Sequence, residues 1–321
     1  MKISIVTAFY NRRELFLTTL KSIAASPHRR NVEIIVVDDA SVAHEQIDDV
    51  PSLFDLDITV VKVRSEDKWW RNPCIPFNMA FNRARGDVII IQNPECVHCG
   101  DILGTALSQL RTKTYLNFGC YSADAELTRR VQAVDFVAPQ LAARLEGVLK
   151  PMVNRGTVGD AETGWYNHSQ HKANRLHFCS AITRQDLEGL GGFDERYANG
   201  MAFDDNDLLT RIIRKGMDVQ VVDSPFVIHQ FHGATHYAAN AAAYQRNSAL
   251  FQNVTLKEST SRVFSRYYPC LSHSDALGGT RPPDAFFPAS ASSTRPEAGF
   301  HLSGTRRPNR EETLATHFAP R

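Results

Sequence analysis

The sequence predicts an α/β fold: a mixed, mainly parallel sheet flanked by helices in a single domain. The 321 residues are 43% hydrophobic and 22% charged, a composition typical of a globular protein. Strand-like apolar runs alternate with helix-like periods through the first 120 residues. Polar residues follow the predicted strands, where sheets of this class bind their ligands.

The chain begins with a predicted strand, helix and strand. Residues 3–6 form an apolar run typical of a buried strand. Leu15, Leu20 and Ile23 then recur at helical spacing. The continuous β-branched run at residues 32–37 predicts a second buried strand.

A third strand, a second helix and a fourth strand follow in the same pattern. The apolar run at residues 58–63 predicts the strand, and Asn72 and Pro73 are suitable for the cap and first turn of a helix. This helix is expected to run to about Arg85, before Gly86. Residues 88–91 then predict another buried strand.

Polar segments follow three of these strands, at residues 7–11, 38–41 and 92–95. In a parallel sheet such segments meet at one crevice. The sequence has no GxGxxG after the first strand and no Walker GxxxxGK[ST], which excludes the usual dinucleotide and triphosphate loops. A nucleotide bound here would need side-chain contacts and a metal.

Glu95 is the first candidate metal ligand, because a divalent cation can bridge a carboxylate to a pyrophosphate. The alternative is a simple turn, since Asn93-Pro94 favours turn initiation at the end of a strand.

Asp204 and Asp205 precede a predicted helix and form a second candidate group. Aspartates at a helix start can act as caps and suit the helix dipole. The functional alternative is a general base, since mutual repulsion and partial burial raise the pKa of one member of such a pair.

His229 and His232 follow an apolar run at residues 220–228. A histidine after a strand is often only a packed residue, but these two accompany a carboxylate site. A site of carboxylate and imidazole ligands favours manganese over magnesium.

Together the motifs resemble the family 2 glycosyltransferases of the GT-A, Rossmann-like fold. The resemblance covers about residues 1–235 and rests on five motifs in the family's order: residues 7–12 (TAFYNR), 36–41 (VVDDAS), 78–87, 191–195 (GGFDE) and 204–207 (DDND). It implies a single catalytic domain that transfers a sugar with inversion from a nucleotide sugar, usually a UDP-sugar, to an acceptor hydroxyl. The implied cofactor is Mn²⁺ or Mg²⁺.

The resemblance also implies roles for residues on the donor side. Thr7, Phe9 and Arg12 would lie near the nucleotide, and Asp39 would hydrogen-bond the uracil edge. The family's Asp-x-Asp falls on Asn93-Pro94-Glu95, a departure that brings metal dependence into question.

Within this altered motif, the resemblance still leaves Glu95 as a cation ligand and lets Asn93 reach a ribose hydroxyl. His229 matches the histidine that completes the metal site, and His232 is the fallback.

On the acceptor side, the family's Glu-Asp pair falls on Asp204-Asp205. Asp205 would be the general base and Asp204 would hydrogen-bond the acceptor sugar. Trp165, Tyr166 and His232 are further candidates for contact with the acceptor.

The predicted organisation has four parts: residues 1–120 as the nucleotide-sugar-binding half, 121–235 as the acceptor-binding and catalytic half, 236–265 as a C-terminal helix and 266–321 as a disordered tail. Prolines are concentrated in the tail. We expect a cytoplasmic protein without a transmembrane segment, and peripheral membrane contact is left open. A formal net charge of +1 argues against nucleic acid as a partner.

Two other functions compete with sugar transfer. The altered Asp-x-Asp suits a non-catalytic module that binds a sugar nucleotide or a glycan, although such a module has little need of a base at Asp205. A nucleotidyltransferase shares this kind of sheet, but it would normally have a glycine-rich basic loop, and residues 7–13 contain no glycine.

Overall fold

The computed structural model describes residues 2–136, 157–158, 161–162, 164–233, 240–257 and 263–268. These residues belong to one compact unit, Met1–Thr280. A second unit, Arg281–Arg321, lies outside the described residues. Of the predicted tail at 266–321, only residues 266–268 are described.

The strands of the described residues are β1 (Ile3–Phe9), β2 (Val32–Asp38), β3 (Asp57–Lys62), β4 (Val88–Gln92), β5 (Cys96–Cys99), β6 (Thr114–Ser122), β7 (Thr157–Val158), β8 (Ala161–Glu162), β9 (Gly164–His168), β10 (Lys172–Ala173), β11 (Cys179–Thr183) and β12 (Asp218–His229). The helices are α1 (Arg13–Ala24), α2 (Cys74–Phe81), α3 (Ile102–Gln109), α4 (Ala125–Gln132), α5 (Arg184–Leu190), α6 (Asp204–Arg214) and α7 (Ala241–Leu250). Within the described ranges, no helix combines the length and apolar character needed to cross a bilayer.

The main sheet is mixed, and its strand order is β10-β9-β6-β11-β4-β1-β2-β3. Strands β4, β1, β2 and β3 are parallel, with Ile3 opposite both Val32 and Val88. From β4 onward, β11, β6, β9 and β10 pair antiparallel. Strand β12 runs parallel to β6 and antiparallel to β5. This arrangement confirms the predicted α/β class.

The central strands are buried on both faces, which explains their continuous apolar runs. Every residue of β2 and β4 is buried, whereas the edge strand β3 has exposed residues along its length. The main core includes Ile5, Val36 and Ile90 from adjacent strands. The first four predicted strands are therefore present at the predicted places.

The second predicted helix is shorter than its sequence pattern suggests. Helix α2 ends at Phe81, although Gly86 was expected to end it near Arg85. At its start, Asn72 Oδ1 accepts a hydrogen bond from the Cys74 amide at 2.9 Å, so Asn72 satisfies one of the free donors of the first turn.

Residues 265–268, near the C-terminal end of the described chain, pack on Gly192 and Glu195. Glu195 accepts hydrogen bonds from the Ser265 hydroxyl at 2.9 Å and from the Arg266 and Tyr267 amides. Tyr268 packs so closely on Gly192 that a Cβ there would lie 2.6 Å from the ring, and Gly192 has a φ of +68°. The packed segment thus reaches three residues into the stretch predicted as tail.

A buried glutamate, Glu33, lies at the amino-terminal edge of the parallel strands. Glu33 Oε1 accepts from the Ser4 hydroxyl at 2.5 Å and from the Arg85 amide at 2.7 Å. Its Oε2 accepts from Arg85 Nε at 2.8 Å and Lys2 Nζ at 3.2 Å. Burial opposes the charge of Glu33, but these hydrogen bonds outweigh it and lower its pKa to about 2.

Candidate active site

The carboxyl ends of the parallel strands meet at one edge of the sheet. Residues after β1, β2 and β4 lie along this edge. The start of β11 also lies here, because Cys179 is opposite Gln92, the last residue of β4. The end of β12 meets the start of β5, where His229 is opposite Cys96. The strand order therefore brings the residues of the predicted crevice to the same edge of the sheet.

Glu95 lies between β4 and β5 and is almost completely buried. Three nitrogen atoms surround its Oε1: Arg12 Nη1 at 2.9 Å, His229 Nε2 at 3.0 Å and His232 Nε2 at 3.5 Å. The other oxygen, Oε2, is buried and accepts no hydrogen bond from the residues that the structure describes. One carboxylate oxygen is crowded and the other is left without a partner.

The charge on Glu95 is maintained by its neighbours. Burial alone raises the pKa of a carboxyl group, but the Arg12 guanidinium and the hydrogen bond to His229 outweigh it and hold the pKa of Glu95 well below its usual range. Burial lowers the pKa of His232 to about 4, so its imidazole is neutral at pH 7. Neutral imidazole is the form that ligates metals.

Glu95, His229 and His232 each offer a ligand atom, and these atoms lie within 4.8 Å of one another. The buried, unpartnered Oε2 and the two imidazoles fit a divalent cation of the manganese type. The structure thus places His232 beside the predicted metal ligands, rather than only on the acceptor side. Asn93 is partly exposed at the same edge and offers an amide in place of a carboxylate.

Asp204 and Asp205 are the first two residues of α6, so they lie in the helix and not before it as predicted. Phe203 precedes them with a φ of +67°. Asp204 Oδ1 accepts from Asn72 Nδ2 at 2.8 Å, which ties the pair to the segment before α2. Asp205 Oδ1 accepts from the Asn206 amide at 2.8 Å.

The third aspartate of this turn has a different role. Asp207 Oδ2 accepts from Arg211 Nε at 2.8 Å, and its Oδ1 accepts from the Thr255 hydroxyl at 2.8 Å. Both side chains of the Asp207 and Arg211 pair are buried. Asp207 is therefore a structural residue, while neither Asp204 nor Asp205 forms an ion pair with a basic side chain among the described residues.

Burial and the nearby charge of Asp204 raise the pKa of Asp205 to about 7. The pKa of Asp204 is also raised, mainly by burial, although its hydrogen bond to Asn72 opposes this. A carboxylate with a pKa near 7 is suited to accept a proton at neutral pH.

Phe9 and Thr7, two of the predicted nucleotide contacts, are both buried. Phe9 is fully buried in the main core, where its ring lies 5.5 Å from that of Phe16, so it presents no surface to a nucleotide. Its neighbour Tyr10 is 49% exposed. Thr7 is buried at the end of β1, and its hydroxyl has no hydrogen-bond partner in the described part of the chain.

Two side chains, Lys68 and Trp70, hold the carboxylate of Asp39. Its Oδ1 accepts from Trp70 Nε1 at 2.8 Å, and its Oδ2 lies 2.8 Å from Lys68 Nζ. Lys68 Nζ also lies 4.3 Å from the centre of the Tyr10 ring. Asp39, Lys68, Trp70 and Tyr10 thus form one group, which we call the Asp39 cluster.

The two aromatic residues predicted for the acceptor side have different environments. Trp165 is fully buried against Tyr121 and Phe226, so in this structure it presents no surface to an acceptor. Tyr166 is partly exposed and packs on Phe178, with ring centres 4.1 Å apart. Phe178 in turn packs on His229 at 4.9 Å. Tyr166 therefore lies next to the Glu95 cluster, formed by Glu95, His229 and His232.

The sequence analysis missed Tyr10, Lys68 and the pairing of Arg12 with Glu95. Strand alternation could have revealed Tyr10, because a residue next to an inward-facing Phe9 at a strand end faces outward. The other two contacts join segments distant in the chain, and no local pattern indicates them.

Comparison with known sequences gives a family match. The sequence model of Glycosyl transferase family 2 matches residues 4–182, more than half of the chain. No curated protein sequence matches this chain.

Solved structures share the fold at low sequence identity. Staphylococcus aureus TarS 1–349 in complex with UDP-GlcNAc is 12% identical, with a TM-score of 0.51, over 74% of this chain and 61% of that chain. The same protein in complex with UDP gives 12% identity and a TM-score of 0.50, over 82% and 67%. A weaker match, with a TM-score of 0.47 and 17% identity over 86% and 69%, is the mannosyltransferase PcManGT from Pyrobaculum calidifontis in complex with GDP-Man and Mn²⁺. This chain thus spans about three-fifths of the first TarS structure, and its fold is GT-A.

Proposed function

Because this chain belongs to glycosyl transferase family 2 and is a glycosyltransferase, we propose that it transfers a sugar, with inversion, from a UDP-sugar to an acceptor hydroxyl. The observation that carries this proposal is the pair Asp204 and Asp205. Asp205 has a pKa raised to about 7 and no basic partner among the described residues, as a general base requires. TarS, which shares the fold, was solved with UDP-GlcNAc and with UDP.

In this mechanism Asp205 takes the proton of the acceptor hydroxyl as the oxygen attacks the anomeric carbon of the donor. The new C–O bond forms on the face of the anomeric carbon opposite the diphosphate. The bond between that carbon and the diphosphate breaks, and UDP leaves. Asp204, fixed by Asn72, hydrogen-bonds the acceptor sugar. Inversion follows because a single displacement uses one base on one face.

Residues at the carboxyl ends of β1, β2 and β4 hold the donor in this mechanism. In our proposal the exposed Tyr10 ring stacks on the base, and Asp39 binds the uracil edge from within the Asp39 cluster. Thr7 is buried in β1, and its hydroxyl, which has no partner among the described residues, can bond the nucleotide. Asn93, which follows β4, is proposed to bind a ribose hydroxyl.

Glu95, His229 and His232 are the residues that would hold a divalent cation, Mn²⁺ or Mg²⁺. When bound, such a cation neutralises the negative charge that develops on the leaving diphosphate. Arg12, paired with Glu95, is the nearest basic side chain to this cluster in the described structure and can contribute further positive charge.

The test is diphosphate release from a panel of nucleotide sugars, with Mn²⁺ or with chelator, in the presence of glycan acceptors and of water alone. We expect release from a UDP-sugar that depends on the cation. The Asp205→Asn variant is expected to lose about 10²- to 10⁴-fold in kcat while its affinity for the donor stays unchanged.

Asp101→Asn is the matched control, because Asp101 caps α3 by accepting from the Gly104 amide at 2.9 Å and lies at the far end of β5. It should leave kcat unchanged. Full activity of Asp205→Asn would overturn the assignment of the base. Binding of nucleotide sugars without turnover by the unaltered protein would instead favour a binding module.

A further inference from the structure

Arg12 connects the proposed cation site to the proposed donor site. Its Nη1 lies 2.9 Å from Glu95 Oε1, and the Arg12 side chain is 33% exposed whereas that of Glu95 is 1% exposed. Arg12 follows β1, beside the exposed Tyr10. It is therefore within reach of the crevice as well as of the buried carboxylate.

Arg12 and Glu95 carry opposite charges and form an ion pair without a metal ion. Glu95 is the one carboxylate of the cluster, and position 93 carries an amide. The Arg12 guanidinium supplies one positive charge to the same oxygen, Oε1, that faces His229 and His232. A divalent cation ligated by Glu95 Oε2 and the two imidazoles would share this carboxylate with the guanidinium on Oε1, and two cations on one carboxylate repel each other.

We propose that Arg12 is a positioning residue that exchanges partners: it neutralises Glu95 while the site is empty and turns to the donor's diphosphate when a divalent cation binds. The inference rests on the proposed function, since it takes a nucleoside diphosphate as the second partner. Guanidinium is well suited to this exchange, because its fork of N–H donors fits phosphate as well as carboxylate.

Two opposite effects of removing Arg12 follow. In the protein without nucleotide, Arg12 competes with the cation, so its removal strengthens cation binding. When the cation is bound, Arg12 is free to bind diphosphate, so its removal weakens UDP binding. A merely structural role of Arg12 would weaken both, because loss of the ion pair would distort the site.

The experiment is isothermal titration calorimetry of the full chain and of Arg12→Gln. Mn²⁺ is titrated into nucleotide-free protein, and UDP is titrated with and without saturating Mn²⁺. For Arg12→Gln we expect Mn²⁺ binding tighter by on the order of tenfold. We expect UDP binding weaker by on the order of tenfold with Mn²⁺ present and by less than about twofold without it.

Arg13→Gln is the matched control, because Arg13 is the next residue and pairs with the exposed Asp49 at 2.6 Å. It should leave both affinities unchanged. Arg12→Met repeats the test with another uncharged side chain, and melting temperatures confirm that each variant folds.

Equal or weaker Mn²⁺ binding by folded Arg12→Gln and Arg12→Met would overturn the exchange of partners and leave the proposed function standing. Failure of the unaltered protein to bind UDP with Mn²⁺ present would overturn the proposed function and this inference with it.

Discussion

Two glutamates are buried at opposite ends of the same parallel strands, and their surroundings differ. Glu33, at the amino-terminal edge, has both oxygens occupied by Ser4, Arg85 and Lys2. Glu95, at the carboxyl edge, has three nitrogen atoms around one oxygen and none bonded to the other in the described structure.

The difference separates a structural carboxylate from one suited to bind a ligand. A buried carboxylate whose two oxygens both accept hydrogen bonds needs no further ligand. A buried oxygen without a partner costs free energy, and a ligand, an ion or a bound water molecule can satisfy it. The low pKa of both groups does not distinguish them, but the distribution of partners does.

The largest expected effect is on activity at Glu95. Glu95→Gln removes the one carboxylate of the cluster, and we expect kcat/KM for diphosphate release to fall by about 10²- to 10³-fold because charge stabilisation at the leaving group is lost. Diphosphate release and melting temperature are measured together. Activity within threefold of the unaltered protein would show that Glu95, like Glu33, has only a structural role.

The next effect is on stability at Glu33. Glu33→Gln keeps one oxygen that can accept from the Ser4 hydroxyl and the Arg85 amide, but it turns an NH2 group toward the Arg85 and Lys2 side chains, which lose their acceptor. We expect the free energy of unfolding to fall by about 1 to 2 kcal/mol, because Glu33 is buried but the Arg85 and Lys2 side chains that lose it are exposed to solvent. Urea unfolding measures this. The affinity of the folded protein for the donor should not change. A changed affinity would mean that the amino-terminal edge of the strands affects the donor site.

The pH dependence of stability provides a third comparison. The pKa of Glu33 is lowered to about 2 in the folded state from an ordinary value of 4.5. The folded protein thus binds fewer protons at this group, so its stabilising effect is complete above about pH 4.5 and is lost as the pH falls toward about 2. The difference in unfolding free energy between the unaltered protein and Glu33→Gln should shrink over this window. A constant difference would mean that charge is not what Glu33 contributes.

The smallest effect concerns the base of the donor. Tyr10→Ala removes an exposed ring, and we expect UDP affinity to fall by about tenfold, because stacking on a base is worth ~1 to 3 kcal/mol. Calorimetry measures the affinity, and Leu53→Ala, at another exposed apolar residue, is the control. If Tyr10→Ala binds UDP with unchanged affinity, the base does not bind at the Asp39 cluster.

The sequence predicts the fold and the edge of the sheet that carries the site, because strand and helix periods are local properties. It also predicts that Glu95 and His229 lie together, through the order of motifs. It misses which aromatic side chains face the crevice: Phe9 and Trp165 are core residues, and Tyr10 is the exposed one. Burial depends on packing between distant segments, which composition and spacing do not contain.

The pairing of Arg12 with Glu95 shows the same limit. The two residues are 83 positions apart, and each carries a local signal only for a strand end. Their ion pair exists because β1 lies next to β4 in the sheet, and only the structure establishes that Oε1 is shared while Oε2 is not.

The most direct test of the distinction between the two glutamates is Mn²⁺ binding followed by electron paramagnetic resonance of the free ion. The account predicts one bound Mn²⁺ per chain in the unaltered protein and in Asp205→Asn, and loss of that site in Glu95→Gln at unchanged fold. Equal Mn²⁺ binding by Glu95→Gln and the unaltered protein would contradict it.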